Sequence, residues 1–261
     1  MKTTIQGLSV HYEVQGRGPE TVLFLHGWAA PVTAYQPVLE LLARRFRVVA
    51  FDMPGVGGTD EPPAPLTLDD YVAFTLDFCR EVGLDSAVLV CHSHGGRIAV
   101  RLLSDPDCPL RCGQAVFIDA AGVPPRRSAG WKVRQRAYRL LRVLGTAKLT
   151  APLFAERYEV VRDRRSSADY RAATPVMRAT LSNVVSADLT PLMPAVSAEV
   201  LLIWGENDTA TPLTDGQEMA RLLPNAGLAV VKNAGHFPFA DNWPQFKGIL
   251  EAYFGLKTDS D

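Results

Sequence analysis

The sequence predicts an α/β fold built on a mostly parallel sheet with helices on both of its faces. Short apolar runs typical of buried strands recur along the chain, among them TVLFL, AVLVC and EVLLIW. Segments with helical spacing, such as LTLDDYVAFTLDFCREVGL, separate these runs. Continuous apolar strands that alternate with helices are typical of parallel sheets covered on both sides. The length of 261 residues suits one large domain with an inserted subdomain.

The first half of the chain alternates predicted strands and helices. TTIQGLSVHYEVQ alternates before the turn GRGP, and TVLFLHG and RVVAFDMPG are strands that each end in a loop. The next segment is a helix with Leu68, Val72, Leu76 and Cys79 on one stripe and Gly83 as its stop. AVLVCHS then predicts a strand, HGGRIAVRLLSD a helix and QAVFIDAAG a further strand.

The second half contains a helical insertion before the strand pattern resumes. No strand-like run occurs between residues 124 and 196, where KVRQRAYRLLRVLG, APLFAERYEVVRD and PVMRATLSNVVSADL have helical character. Strands and helices then return in EVLLIWGEND, QEMARLL, LAVVKNAGH and WPQFKGILEAYF. We therefore expect a core formed by residues 1–123 and 197–261, with a helical cap at 124–196.

The predicted cap is basic. Residues 124–171 contain 13 Lys or Arg against 4 Asp or Glu. Three interpretations remain open for this charge: arginines that coat the outer faces of surface helices, an anion-attracting rim over a pocket, or a helix at a membrane surface. The last lacks the apolar face rich in Trp and Phe that such helices carry.

Composition excludes several classes of protein. A formal net charge of −1 gives no bulk attraction to nucleic acid. MKTTIQGLSV lacks a signal-peptide pattern, and no apolar run is long enough to span a bilayer. Cys79 and Cys91 are expected in the core. Cys108 and Cys112 flank the short loop PLR and could pair, but a chain without a secretion signal disfavours a disulfide. We expect a cytoplasmic monomer or homodimer that acts on a small-molecule substrate without cofactor or metal.

The stretch VLVCHSHGG has the sequence context of a nucleophile elbow. An apolar strand leads directly into Ser93, and two glycines open the following helix. The sharp turn requires small residues two positions before and two positions after the serine. Gly95 meets this requirement, and Cys91 stands where the usual G-x-S-x-G pattern has glycine. Ser93 is therefore the candidate nucleophile.

The histidines beside Ser93 are not candidates for its base. Neighbouring residues at a strand end point to opposite faces, and a base must approach the serine oxygen to about 3 Å. A metal site at His92 and His94 lacks further ligands nearby. We expect His92 to be a packed supporting residue. His94 offers its backbone N–H, at a helix N-terminus, to a developing oxyanion.

The base and its orienting acid are predicted near the end of the chain. His236 follows the strand LAVVKN, and Asp208 follows the strand EVLLIWG. Glu206 and Asp119 remain alternative acids. The order Ser93, Asp208, His236 resembles the chain order of nucleophile, acid and base in α/β-hydrolases. Of the other histidines, we expect His11 to face solvent, and His26 to shape its loop.

Two further loops follow predicted strands. In LHGW, Gly27 lets the chain turn, and Trp28 can supply a second oxyanion donor through its N–H while its side chain lines the pocket. DMPGVGGTDEPP is rich in glycine but matches neither phosphate-binding pattern, G-x-x-x-x-G-K-[ST] or G-x-G-x-x-G. It is interpreted as a tight turn that supports the other loops.

Five motifs follow one another along the chain: LHGW, DMPGVGGTD, CHSHGG, GENDTATP and NAGHFPF. Through these motifs, in this order, the chain resembles the α/β-hydrolase superfamily over nearly its whole length. The resemblance implies an eight-stranded sheet and a helical cap, inserted after the sixth strand, that covers Ser93. It implies a substrate pocket lined by the cap and the loops beside it. The candidate lining residues are Trp28, Trp131, Tyr138, Phe154, Tyr158, Tyr170, Met177 and Phe237.

The predicted reaction is hydrolysis of small carboxylic esters through an acyl-enzyme on Ser93. A serine at the elbow argues against epoxide hydrolases and haloalkane dehalogenases, which use aspartate. One alternative is a carbon–carbon bond hydrolase of a ring-cleavage-type diketone acid, favoured if Arg126, Arg127 or Arg134 faces the pocket. A second is a ligand sensor that acts through a protein partner. The intact Ser93, Asp208 and His236 disfavour a non-catalytic relative.

Overall fold

The computed structural model describes residues 1–124, 129–147, 150–165, 168–185 and 187–256. In this part of the chain eight strands form one sheet in the order β1-β2-β4-β3-β5-β6-β7-β8. The strands are β1 (Lys2–Ile5), β2 (Leu8–Gln15), β3 (Thr21–Leu25), β4 (Arg47–Phe51), β5 (Val88–His92), β6 (Gln114–Ile118), β7 (Glu199–Gly205) and β8 (Ala226–Val231).

The sheet is mostly parallel, which confirms the predicted fold class. β1 and β2 pair antiparallel, as do β2 and β4, whereas the pairs from β4 through β3, β5, β6 and β7 to β8 are parallel. Parallel strands end at the same edge of a sheet, so the loops after β3, β5, β6, β7 and β8 are neighbours. The candidate site residues of these loops lie at this edge of the sheet.

Ten α-helices are described around the sheet and in the insertion. They are α1 (Gln36–Ala43), α2 (Leu68–Glu81), α3 (His94–Ser104), α4 (Ala129–Thr146), α5 (Ala151–Arg165), α6 (Ala168–Ala172), α7 (Pro175–Val184), α8 (Leu213–Leu222), α9 (Pro238–Asp241) and α10 (Trp243–Phe254). No described helix is long and apolar enough to cross a bilayer.

Successive side chains of the central strands point to opposite faces of the sheet, and both faces are buried. Val22 and Phe24 belong to one apolar cluster with residues of α1 and α10. On the other face, Phe51 packs against Phe74 and Phe78 of α2, with ring centroids 6.1 and 4.3 Å apart. Both layers exclude water from the sheet, which gives the loops at its edge a rigid support.

Helix α2 begins at a capping box, in which Thr67 and Asp70 satisfy each other's backbone N–H groups. Its buried face differs from the predicted stripe. Leu68 and Cys79 are buried as predicted, but Val72 and Leu76 are only partly buried. The aromatic residues on the neighbouring stripe, Tyr71, Phe74 and Phe78, are buried instead. Burial of the aromatic stripe removes a larger apolar surface from water than burial of the predicted stripe would.

The structure divides by internal contacts into two compact units. The first comprises Met1–Pro124 and Ser182–Asp261, and the second comprises Pro125–Leu181. The second unit follows β6 in the chain, where the resemblance places a cap. It ends at Leu181, while the predicted insertion extends to residue 196, so residues 182–196 belong with the sheet.

Within the second unit, α4 and α5 pack closely against each other. Gly145 permits the approach, since a Cβ there would lie 2.6 Å from Cβ of Tyr158. The rings of Tyr138 and Tyr158 are 6.0 Å apart. These two candidate pocket residues therefore contact each other between the helices of this unit.

Candidate active site

Ser93 occupies a strained turn between β5 and α3. Its backbone has φ 48° and ψ −110°, in a region that non-glycine residues rarely adopt. The turn is held by hydrogen bonds from Ser93 N–H to the Ile118 carbonyl (3.1 Å) and from Ala121 N–H to the Ser93 carbonyl (2.8 Å). The strain presents the Ser93 side chain at the edge of the sheet.

The glycines after Ser93 let α3 approach the sheet. A Cβ at Gly95 would lie 2.1 Å from the Leu25 carbonyl oxygen, and one at Gly96 would lie 2.5 Å from Cβ of Ala120. Cys91, two positions before the serine, is fully buried within β5. The close packing explains why this stretch needs small residues on both sides of the serine.

The structure brings Ser93, His236 and Asp208 into one hydrogen-bonded chain. Ser93 Oγ lies 3.0 Å from His236 Nε2, and His236 Nδ1 lies 2.8 Å from Asp208 Oδ2. The loops after β5, β7 and β8 supply the three side chains. Both distances are within the range that proton transfer from a serine to an oriented histidine requires.

Asp208 is buried and fully hydrogen-bonded. Oδ1 accepts the N–H groups of Ala210 (2.7 Å) and Thr211 (3.1 Å), and Oδ2 accepts the Thr211 hydroxyl (2.7 Å) as well as His236. Burial alone would raise the pKa of Asp208, but the hydrogen bonds from His236 and Thr211 outweigh it and lower the pKa. Asp208 is therefore ionised at neutral pH, and Nδ1 of His236 carries the proton between them.

Sequence reasoning missed Thr211 as a supporting residue. Its hydroxyl contacts Asp208 and lies 3.4 Å from His236 Nδ1, and it is 3.0 Å from the Asp119 carbonyl. A threonine three residues after an aspartate at a strand end could have indicated this, because such side chains often bond to one another and to the local backbone.

The two alternative acids occupy different places. Glu206 bonds to Lys232 Nζ (2.9 Å) and Asn233 N–H (3.1 Å) at the surface. Asp119 is fully buried after β6 with φ 40°, and its Oδ1 accepts the Gly205 N–H at 2.9 Å. Its Oδ2 has no hydrogen-bond partner among the described residues. Burial, with the charge of Asp208 adding to it, raises the pKa of Asp119 to about 9.

Asp119→Asn should therefore change the pH dependence of stability. An unfolded aspartate releases its proton near pH 3.9, whereas folded Asp119 keeps it to about pH 9. Because the folded state binds the extra proton, stability from this group is lost as pH rises between these values. We expect the stability of Asp119→Asn relative to wild type to grow with pH, by at most about 1.4 kcal/mol per pH unit. Urea unfolding at pH 5 and pH 8 measures it, and a constant difference contradicts it.

The loop after β3 is held against the loop after β4 by His26. Its Nδ1 donates to the Gly27 carbonyl (2.6 Å), and its Nε2 accepts the Met53 N–H (2.8 Å). Asp52 also joins the two loops, because its Oδ1 accepts the Val32 N–H (2.7 Å) and its Oδ2 accepts the Gly58 N–H (2.9 Å). These bonds hold the backbone of the loop that contains Trp28.

The expectation that His11 faces solvent is wrong. Its Nδ1 lies 2.9 Å from Asp52 Oδ2, and its side chain is 26% exposed. Gly58 packs closely against the His11 side chain. The turn after β4 folds back over β2, so an aspartate that already accepts backbone N–H groups also binds this histidine.

Trp28 and His94 are neighbours at the site. Trp28 follows β3, which pairs with β5, and His94 is the first residue of α3. Their rings meet edge to face with centroids 5.8 Å apart, and the His94 ring also contacts Tyr71 at 4.9 Å. Burial holds the pKa of His94 well below its usual range, so the ring is neutral. The lowered pKa makes the His94 imidazole a weak base, and its ring nitrogens form no hydrogen bond to Ser93 or to any other described residue.

The remaining candidate pocket residues are spread over both units. Phe237 is 39% exposed, and its ring lies 5.4 Å from the His236 ring. In the second unit, Met177 is buried, while Phe154 and Tyr170 are partly buried. The side chains of Trp131 and Arg134 lie outside the described residues, as do Arg126 and Arg127. Lining of the pocket by the cap residues stays a prediction.

The four cysteines, Cys79, Cys91, Cys108 and Cys112, are free thiols. Among the residues that the structure describes, no three His, Cys, Asp or Glu side chains are grouped to hold a metal ion.

Comparisons with known proteins agree with the fold. A family model described as "Alpha/beta hydrolase family" matches residues 22–246. The chain is 30% identical over 268 residues to a pimeloyl-[acyl-carrier protein] methyl ester esterase of Nitrosomonas europaea, covering 94% of this chain and 99% of the relative. It is 27% identical over 265 residues to a 2-hydroxy-6-oxononadienedioate/2-hydroxy-6-oxononatrienedioate hydrolase of Dechloromonas aromatica, covering 93% and 89%.

A solved structure has the same fold. The enol-lactonase from Burkholderia xenovorans superposes with a TM-score of 0.74 at 19% identity, covering 98% of this chain and all of that one (100%).

Proposed function

Because the chain belongs to the alpha/beta hydrolase family, we propose that it is a serine hydrolase that cleaves small-molecule carboxylic esters. The observation that carries the proposal is the continuous hydrogen-bonded chain from Ser93 Oγ through His236 to Asp208, with distances of 3.0 and 2.8 Å. A buried, ionised carboxylate behind an imidazole is the arrangement that makes a serine hydroxyl nucleophilic.

In the proposed mechanism Ser93 attacks the ester carbonyl while His236 Nε2 takes the hydroxyl proton. Asp208 holds the imidazole through Nδ1–H and stabilises its charged form. The imidazolium then protonates the leaving alcohol, which leaves an acyl group on Ser93. Water attacks the acyl-enzyme with His236 as base, and the carboxylic acid leaves.

The proposed oxyanion donors are the backbone N–H groups of Trp28 and His94. The His94 amide stands at the N-terminus of α3, where the helix dipole favours negative charge. The assignment is supported by the contact between the Trp28 and His94 rings, since these residues follow the adjacent strands β3 and β5. Each such donor typically supplies about 3 kcal/mol of transition-state stabilisation.

The ester preference is supported by the methyl ester esterase relative at 30% identity over nearly its full length. The Trp28 ring contacts the ring of His94, the residue after Ser93, and the exposed Phe237 ring lies 5.4 Å from the His236 ring, so both are proposed to contact the substrate. The proposal includes a monomeric or dimeric protein of the cytoplasm, in keeping with four free thiols.

A carbon–carbon bond hydrolase is the second candidate. It is favoured by the relative named as a 2-hydroxy-6-oxononadienedioate hydrolase, at 27% identity. The same serine, histidine and aspartate can serve both reactions, so the fold alone does not separate them.

Hydrolysis of p-nitrophenyl esters from acetate to octanoate tests the proposal. We expect turnover of at least one ester, with a maximum at the acyl length that fits the pocket. The matched assay uses a vinylogous diketone acid and follows loss of its absorbance. Turnover of the diketone acid in the absence of turnover of any ester would replace the ester proposal with the second candidate.

A further inference from the structure

His92 is hydrogen-bonded through both ring nitrogens to parts of the site that are far apart in the chain. Its Nδ1 lies 2.9 Å from the Tyr35 hydroxyl, and its Nε2 lies 2.7 Å from the His236 carbonyl oxygen. The Tyr35 oxygen is also 3.0 Å from the Gly27 nitrogen. These bonds connect the residue before Trp28 to the backbone of His236.

Only one arrangement of protons fits this set of contacts. A carbonyl oxygen can only accept, so Nε2 of His92 carries the hydrogen. Burial lowers the pKa of His92 to about 3, with a smaller contribution from the nearby His236. The His92 ring is therefore neutral, and its Nδ1 is an acceptor. Tyr35 must then donate its O–H to Nδ1 while its oxygen accepts the Gly27 N–H. Burial also raises the pKa of Tyr35, which keeps the phenol protonated.

The same residues are tightly packed. A Cβ at Gly27 would lie 2.6 Å from His92 Nδ1 and 3.1 Å from the Tyr35 oxygen. The His92 ring lies 4.8 Å from the His236 ring and 5.5 Å from the Tyr35 ring, and His92 and Tyr35 are 1% and 0% exposed. A displacement of either loop would therefore have to move the pair.

We propose that His92 and Tyr35 are positioning residues that hold the Gly27–Trp28 loop and His236 in a fixed relation to each other. The inference rests on the proposed function, because it assigns the Trp28 amide to the oxyanion and His236 to the base. Loss of the pair displaces groups that act in the transition state, so it lowers kcat more than it raises KM.

Two substitutions of His92 separate the two hydrogen bonds. The amide of His92→Asn reaches the position of Nδ1, so it can still accept from Tyr35 but no longer reaches the His236 carbonyl. The longer His92→Gln places an N–H₂ near the position of Nε2, so it keeps the bond to His236 and loses the one from Tyr35. Tyr35→Phe removes a single oxygen atom and leaves the Gly27 N–H unpaired.

The expected result is a fall in kcat of about 10-fold or more for Tyr35→Phe, with KM changed by less than about 3-fold, since a misplaced oxyanion donor forfeits part of the 10²–10³ it supplies. Adding Tyr35→Phe to His92→Gln should lower kcat by less than it does in the wild-type background, because the bond to His92 is already lost and only the bond from the Gly27 N–H remains to be removed. Adding it to His92→Asn should lower kcat again. Tyr12→Phe, which removes a hydroxyl from β2, is the matched control and should retain wild-type kcat.

The rate at which a fluorophosphonate labels the protein provides a second readout that does not depend on the substrate. Wild-type kcat and labelling rate in folded Tyr35→Phe would overturn the proposal, as would an equal effect of Tyr35→Phe in both His92 backgrounds. If the His92 variants do not fold, Tyr35→Phe decides alone. A wild-type protein that neither hydrolyses esters nor reacts with the probe would instead overturn the proposed function, and the positioning role with it.

Discussion

Ser93→Ala is expected to lower kcat/KM for ester hydrolysis by about 10⁴- to 10⁶-fold. Alanine removes the oxygen that lies 3.0 Å from His236 Nε2, and no acyl-enzyme can then form. The remaining rate would come from the oxyanion donors and from water activated by His236. Steady-state kinetics on the best p-nitrophenyl ester, with enzyme concentrations high enough to detect the residual rate, measures the effect.

Ser104→Ala is the matched control for this variant. Ser104 ends the same helix, and its hydroxyl bonds only weakly to the Arg101 carbonyl at 3.3 Å. We expect its kcat/KM to stay within about 2-fold of wild type, because Ser104 lies at the opposite end of α3 from Ser93. Ser93→Ala keeps a Cβ at φ 48°, so the backbone strain and the thermal midpoint should change little. A folded Ser93→Ala with more than a tenth of wild-type activity would contradict the role of Ser93.

Asp208→Asn is expected to lower kcat/KM by about 10³- to 10⁴-fold. The N–H groups of Ala210 and Thr211 hold the Oδ1 position, so the asparagine oxygen should remain there and its N–H₂ should face His236. His236 would then accept at Nδ1 and carry its proton on Nε2, where it cannot take the proton of Ser93. The loss arises from the wrong tautomer in an unchanged geometry.

Two other acid substitutions show whether the effect belongs to Asp208. Glu206 lies at the surface, where it bonds to Lys232. Asp119 carries a carboxyl group that is already neutral at pH 7. Glu206→Gln and Asp119→Asn should therefore both keep kcat/KM within about 3-fold of the wild-type value. A large loss in Asp119→Asn with a small loss in Asp208→Asn would assign the orienting acid to the loop after β6.

The sheet was predictable because its strands carry a strong local signal. Runs such as TVLFL and AVLVC are apolar throughout, and they form β3 and β5 in the parallel part of the sheet. The candidates Ser93, Asp208 and His236 were chosen from the same signal, since each lies in the loop that follows such a run. The edge of a parallel sheet then brings residues together that are up to 143 positions apart.

Features that depend on tertiary packing could not be predicted in the same way. Helix α1 was not predicted, because QPVLELLA is short and follows a 3-10 turn at Val32–Tyr35. The buried stripe of α2 was displaced towards Phe74 and Phe78, since the choice between adjacent apolar stripes depends on what the helix meets. His11 gained a buried partner from a loop 41 residues away.

The residues that support the site were the least visible in the sequence. Tyr35 reaches His92 across 57 residues and has no motif of its own. His92 is part of CHSHGG, but its two partners could be assigned only from the structure. Thr211 is the exception, since its spacing from Asp208 is a local pattern. Supporting residues are selected by the space around the site, so local sequence carries little information about them.

The most direct test of the central claim is to identify the residue that a fluorophosphonate modifies. The probe forms a bond from phosphorus to an activated hydroxyl oxygen, fluoride leaves, and the hydroxyl proton passes to the base. We predict that peptide mass mapping of the wild-type protein will place a single modification on Ser93, and that Asp208→Asn will slow its formation. A protein that remains unmodified, or that carries the label on another residue, would contradict a nucleophilic Ser93 activated by His236 and Asp208.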